Sequence, residues 1–219
     1  MLNLFDLPHS PFCLPIKRVL EALKVPFHVE DVPNWDRRKV IEASGGAFYG
    51  VPMLADNGKA IYESTPDSQD IPGYIDKTFA GGKLFPKELD GLHDIIIRYL
   101  ENEVEDATFR AADAHYVDSI SDPVARVMVL RHKERKFGRG CIEQWKANLG
   151  DLRAGARTHF ARYDAMLQHK PYLFGERPVY ADFLLWGIVG NYTWQHWNEI
   201  PADLKALHEW RSRMDTFVF

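Results

Sequence analysis

The sequence predicts a small mixed α/β unit followed by an all-helical unit, and three observations carry that prediction. Strand-like and helix-like segments alternate through the first eighty residues. A stretch combining glycines with a proline, "AGGKLFP" at 80–86, follows them. Beyond residue 87 the chain reads as long helical segments with few breakers. The implied division is 1–79 for the α/β unit, 80–86 for a linker and 87–219 for the helical unit.

Each element can be justified in order. "LNLFDL" (2–7) is a short apolar run ended by Pro8, which marks a strand. From Phe12 to Lys24, apolar residues at Ile16, Val19, Leu20 and Leu23 have the spacing of a helix with one buried face. Pro15 fits only in the first turn, so this helix starts near Phe12. "FHVEDV" (27–32) alternates like a second strand, and 35–44 reads as a short helix stopped by Gly45-Gly46. "VPML" (51–54) and "AIY" (60–62) flank the turn "DNG", which makes a β-hairpin. A helix carrying Ile71, Tyr74 and Ile75 follows, completing a βαβ-ββα order. Segments 91–115, 122–137 and 142–169 show helical spacing. "YADFLLWGIVGNYTW" (180–194) is apolar nearly all round, as in a helix buried inside a bundle.

Composition excludes several function classes. The 219 residues carry 27 basic and 31 acidic side chains, a net charge of -4, which argues against general nucleic-acid binding. No window approaches the apolar length of a membrane span, and the first residues lack the pattern of a signal peptide. Two cysteines, Cys13 and Cys141, are too few for a disulfide scaffold and suggest a reducing, cytoplasmic setting. Nine histidines show no metal-ligand spacing, so no metal is expected.

Three short stretches could carry chemistry. In "SPFC" (10–13) a serine and a cysteine stand three apart where strand gives way to helix; either could work on sulfur. Val51-Pro52 opens a short strand, where a cis bond would turn the Val51 backbone outward, although an ordinary trans proline at a strand's first residue is the commoner reading. In "YESTPDSQDIPGYID" an acid followed by serine near a helix start suits a zwitterion, with the acid taking an ammonium and N–H groups a carboxylate. Simple helix capping is the commoner meaning of such a pair.

In order, these motifs and the helical region after them resemble the glutathione transferase superfamily, which joins a thioredoxin-like N-terminal domain to an all-α C-terminal domain. The resemblance covers essentially the whole chain. Two-domain glutaredoxins share the architecture, and "FGRGCIEQW" and "GERPVYADF" resemble bacterial etherase-like transferases. The resemblance implies glutathione as co-substrate, a small electrophile of apolar or aromatic character, and a homodimer. It implies Ser10 as stabiliser of the glutathione thiolate, with Cys13 at the second position of a would-be C-x-x-C. Phe12, Val51 and Pro52 would hold the peptide.

The glutamyl end has two candidate pairs. Counting forward from Pro52 gives Glu63-Ser64; counting back from Ile71 and Tyr74 gives Asp67-Ser68. Asp67-Ser68 is favoured, because Pro66 keeps Thr65 out of a helix and the helix should then start at Asp67 or Ser68. A second departure is "VYAD", where Val179 stands in place of a capping hydroxyl, leaving Asp182 able to bond backwards. The alternatives are a thiol–disulfide reductase acting through Cys13 and a non-catalytic adaptor that kept the fold. His9 reads as a base or as a loop residue tuning the local field. "RHKERKFGR" (131–139) could recognise an acidic group, but a solvated helix face is the commoner meaning of such a run. Tyr180, Trp186, Tyr192, Trp194 and Trp197 read as core with one or two walling a pocket.

Overall fold

Strand β1, Leu2–Asp6, is nearly wholly buried and forms the middle of a four-stranded sheet in a computed structural model that describes residues 1–219. The sheet order is β2-β1-β3-β4, with β2 Phe27–Asp31 parallel to β1. Strand β3, Met53–Asp56, runs antiparallel to both β1 and β4, Lys59–Ile61. Phe5 pairs with Met53 and Leu54 with Ile61, so the hairpin brings residues 51–52 alongside the end of β1. The turn at Asn57-Gly58 needs left-handed backbone at both positions, with φ of 49° and 83°, which asparagine and glycine tolerate.

Helix α1, Cys13–Ala22, buries Ile16, Val19 and Leu20, the face the spacing predicts. Pro15 lies in its first turn, where no donor is missed. The short α2, Arg38–Ala43, ends before Gly45 and Gly46, both at positive φ. Helix α3 spans Asp70–Ile75 and runs on through a wider π turn to Ala80, ending at left-handed Gly81. The expected start at Asp67 or Ser68 is therefore too early. Three residues after Pro66 stay outside the helix because the Glu63 side chain, rather than a serine, takes the first free N–H groups.

The segment read as a linker is packed down. Leu84 is fully buried, its N–H donates to the Asp76 carboxylate at 2.9 Å, and its carbonyl accepts from Tyr180 N–H at 3.0 Å. The helical unit then comprises α4 Leu92–Tyr99, α5 Glu105–Ser119, α6 Pro123–Phe137, α7 Cys141–Ala147, α8 Leu149–Leu167, α9 Tyr180–Tyr192 and α10 Lys205–Thr216. Helices α4 and α5 are joined without a break by a π turn at Leu100–Val104. The long segment predicted at 142–169 breaks at Asn148 into α7 and α8. Asp182 does bond backwards: its carboxylate accepts from the N–H groups of Val179 at 3.1 Å and Leu173 at 2.9 Å, and from the Trp210 indole at 3.0 Å. No helix is long and apolar enough to cross a membrane.

The two units share one hydrophobic core, in which Ile16, Val19 and Leu20 of α1 join Phe183, Leu184 and Ile188 of α9. Helix α9 meets α1 at Gly187. A Cβ there would lie 2.4 Å from Pro15 Cδ and 2.6 Å from the Pro11 carbonyl oxygen, so only glycine permits this approach. Polar clamps fix the same seam. Asn191 donates to the His9 carbonyl at 2.6 Å, and buried Arg18 donates to the Met214 carbonyl at 2.9 Å. The C-terminal Phe219 N–H donates to Ala22 O at 3.1 Å. The loop holding residues 9–13 is thus gripped from the helical side.

Candidate active site

Two cavities open along the seam and meet at Val51. The first, about 270 Å³, is lined by Phe12, Val51, Pro52, Glu63, Ser68 and Tyr180, with Gln69 and Glu101. The second, about 260 Å³, is lined by His9, Ser10, Arg37, Val51, Glu105 and Asp113, with Lys133. Two larger surface depressions, about 770 Å³ around Thr193–Arg211 and about 860 Å³ beside residues 81–89, contain none of the candidate side chains.

Ser10 sits where β1 hands over to α1 and is buried. Its Oγ accepts hydrogen bonds from the N–H groups of Phe12 and Cys13, each at 3.3 Å, capping the turn into α1. The same hydroxyl lies within hydrogen-bonding reach of the Cys13 sulfur. A donor hydroxyl is thus held at a helix start, where the peptide dipoles favour negative charge. Cys13 has the opposite character. It lies inside the fold, fully buried, with its sulfur accepting from Leu7 N–H at 3.4 Å. Burial foremost, and then nearby Asp6, push its thiol up to about 12. Cys13 lines neither cavity. Of the two candidate sulfur residues, Ser10 lines the second cavity, whereas the first turn of α1 carries Cys13 into the interior.

The Val51–Pro52 bond is cis. Neither the N–H nor the carbonyl of Val51 is hydrogen-bonded within the chain, and Pro52 is buried beneath them. Phe48 stacks on Tyr62 with centroids 4.6 Å apart, steadying the loop before Val51.

At the far end of the first cavity, the Glu63 carboxylate accepts from Asp70 N–H at 2.6 Å, Ile71 N–H at 3.1 Å and the Ser68 hydroxyl at 2.8 Å. It therefore caps α3 from seven residues away. Asp70 answers by accepting the Ser64 N–H at 2.8 Å. Neither sequence pair survives intact: the cavity brings together Glu63 of one and Ser68 of the other. Ser64 and Asp67 are exposed and line neither cavity, and Asp67 faces Arg98 at 3.6 Å. The Gln69 main-chain N–H has no partner in the chain.

Sequence reasoning missed Glu101, whose carboxylate takes the Gln69 amide at 2.8 Å. Burial, with help from nearby Glu63 and Asp67, raises Glu101 to about 7. Burial likewise raises Glu63. In the second cavity burial raises Glu105 to about 7, with Asp113 adding to it. His9 is lowered to about 4, first by burial and then by Lys133, and lies against Tyr116 with ring centroids 4.2 Å apart. It is a neutral loop residue at pH 7. Lys133, read as part of a solvated face, instead reaches into the cavity and pairs with Asp113. Of the aromatic set, Tyr180 walls the first cavity and none lines the second. No grouping of three or more His, Cys, Asp or Glu side chains is arranged to hold a metal ion.

Comparison with known proteins places this geometry. Residues 4–83 match the family model described as glutathione S-transferase, N-terminal domain. No curated protein sequence matches the chain significantly. Among solved structures, a glutathione S-transferase of Ceriporiopsis subvermispora in complex with glutathione is similar at TM-score 0.81 and 19% identity, over 99% of this chain and 97% of that one. A glutathione transferase of Phanerochaete chrysosporium gives TM-score 0.77 at 18% identity, covering 100% and 97%. Glutaredoxin 2 of Salmonella typhimurium in complex with glutathione gives TM-score 0.73 at 20% identity, covering 98% and 93%. Residues 4–83 thus match the glutathione S-transferase N-terminal domain, and the chain as a whole shares the two-domain fold of these solved structures, a thioredoxin-like sheet unit followed by a helical bundle.

Proposed function

We propose that the chain is a glutathione-dependent transferase in which the Ser10 hydroxyl stabilises the glutathione thiolate for attack on a small electrophile. The observation that carries this reading is a buried serine hydroxyl capping α1 beside the free backbone groups of Val51. The cysteinyl backbone of glutathione pairs with Val51, which aims its sulfur at Ser10. Its γ-glutamyl end fills the first cavity, with the ammonium between Glu63 and Glu101 and the carboxylate on Ser68 and the Gln69 N–H.

The energetics suit this task. A thiol of pKa ~8.5 is only about 3% ionised at pH 7, and a drop of about two units makes the thiolate dominant for ~2.7 kcal/mol. A charge-assisted hydrogen bond supplies roughly 1.5–3 kcal/mol, and the helix start roughly 0.3–1 more. In the reaction the sulfur–carbon bond forms, the leaving group departs with its electron pair, and the thiol proton passes to solvent. The burial and raised pKa of Cys13 argue against thiol–disulfide exchange through that residue.

Calorimetry with glutathione, paired with a conjugation assay on Ser10→Ala, tests the reading. Binding at sub-millimolar concentration with loss of turnover in the variant supports it; no binding at millimolar glutathione overturns it. On the same reading the protein is a homodimer, for which exposed Leu92 and Ile95 on α4 offer apolar surface. Light scattering checks this.

A further inference from the structure

The second cavity contains a cation with no counter-ion. Arg37, just before α2, donates through Nη2 to the Asn34 side chain, while its Nη1 is buried with no hydrogen-bond partner. None of the chain's ion pairs includes Arg37. The acids that share the cavity are otherwise occupied: Asp113 is held by Lys133, and burial keeps a large share of Glu105 protonated at neutral pH. A desolvated guanidinium N–H without an acceptor, on a cation without a counter-ion, is unfavourable. Its planar fork is shaped to take two oxygens of one oxyanion.

The walls around Arg37 place it on the electrophile's side of Ser10. Asn34 accepts Arg37 and in turn donates to the Tyr116 hydroxyl of α5 at 3.1 Å. Glu105 and Asp113 come from α5 as well, and Lys133 from α6. The γ-glutamyl cavity lies beyond Val51 on the other side.

We infer that the electrophile attacked beside Ser10 carries an anionic oxygen group, a carboxylate or sulfonate, that docks on the Arg37 guanidinium. This deepens the transferase reading and rests on it. The same chemistry could come from the glycyl carboxylate of glutathione, and the experiment separates the two sources.

The probes are 4-chloro-3-nitrobenzoate and its methyl ester, which differ only in the charge of one group. Binding is measured by calorimetry without glutathione, on wild type, Arg37→Gln and Arg37→Lys. Wild type is expected to bind the acid at least tenfold more tightly than the ester. Arg37→Gln should abolish that preference and Arg37→Lys should keep part of it. With glutathione added, sulfur displaces chloride from the ring, chloride leaves with the bonding pair, and the KM of the acid should rise at least tenfold in Arg37→Gln while that of the ester stays within twofold. Equal binding of acid and ester to wild type overturns the inference, as does a preference that survives Arg37→Gln. So does a variant that weakens glutathione but not γ-glutamylcysteine and leaves acid binding unchanged, because the guanidinium then serves the glycyl carboxylate. Acid binding that depends on Arg37 in a protein that does not bind glutathione supports the anion site and overturns only the transferase reading. Retained melting temperature, with partial rescue by Arg37→Lys, separates lost charge from lost fold.

Discussion

The two cavities that meet at Val51 are nearly equal in size, about 270 and 260 Å³, yet their chemistry differs. One ends in two half-buried glutamates and no cation; the other holds an unpaired arginine beside a serine hydroxyl. Shape alone would let a peptide ligand lie along the seam in either direction. Charge does not: the Glu63–Glu101 end offers carboxylates to a cation, and the Arg37 end offers a guanidinium to an oxyanion. The contrast shows how a seam between two units can orient a ligand with few contacts, because burial magnifies each uncompensated charge.

The largest expected effect breaks the second cavity's chemistry while leaving the first intact. Ser10→Ala should lower kcat/KM for conjugation by roughly 10- to 150-fold, the equivalent of a 1.5–3 kcal/mol hydrogen bond. The affinity for S-methylglutathione, which has no thiol to ionise, should stay within about threefold. If both fall together, Ser10 is holding the loop rather than the sulfur.

Next comes the seam itself. Gly187→Ala should destabilise the protein by about 1–3 kcal/mol in urea unfolding, because its Cβ would meet Pro15 and the Pro11 carbonyl at under 3 Å. A silent variant would show that α1 and α9 can separate freely, and the contrast between the cavities would then not depend on their fixed spacing.

Acid should weaken the first cavity. Glu101 sits at about 7, and a ligand ammonium favours its ionised form. Binding therefore requires a proton to leave whenever the pH lies below that value, so affinity falls as the pH falls. S-methylglutathione should bind about tenfold more weakly at pH 6 than at pH 8, and Glu101→Gln should flatten the profile. A flat wild-type profile would remove Glu101 from the ammonium site.

Ser68→Ala should raise the glutathione dissociation constant about tenfold, about 1.4 kcal/mol, and Ser64→Ala should leave it nearly unchanged. The reverse result on the same calorimeter would return the glutamyl end to Glu63-Ser64. The smallest effect belongs to Cys13. Cys13→Ala should keep the conjugation rate within about twofold, because its sulfur is buried away from both cavities.

Much of the fold was legible because it is local. The spacing of Ile16, Val19 and Leu20 marks the buried face of α1, and "DNG" marks the hairpin turn; neither needs a distant partner. Asp182 is a like case, since its bond to Val179 spans three residues. The break at Asn148 was not legible, because helical spacing continues across it and only packing shows the change of axis. The candidate site was half legible. Ser10 and Val51-Pro52 line the cavities and were singled out because short motifs mark them. The start of α3 was misplaced: Pro66 bears on the backbone of Thr65, but nothing local says that Glu63 reaches α3 from seven residues away. Glu101, Glu105 and Arg37 were not singled out, and Lys133 was read only within the run 131–139, since charges on helical segments read as solvated surface.

The sequence by itself determined the order of elements in the sheet unit, the start of α1 near Phe12 and the candidate sulfur-binding serine. All three depend on interactions within a few residues, where periodicity and side-chain type suffice. Only the tertiary structure decided that Cys13 faces inward, that Glu63 and Ser68 rather than either sequence pair share a cavity, and that Arg37 stands beside Ser10 without a counter-ion. Those outcomes depend on where α5, α6 and α9 dock against the sheet unit. Docking turns side chains distant in sequence into neighbours, and burial then sets their charge.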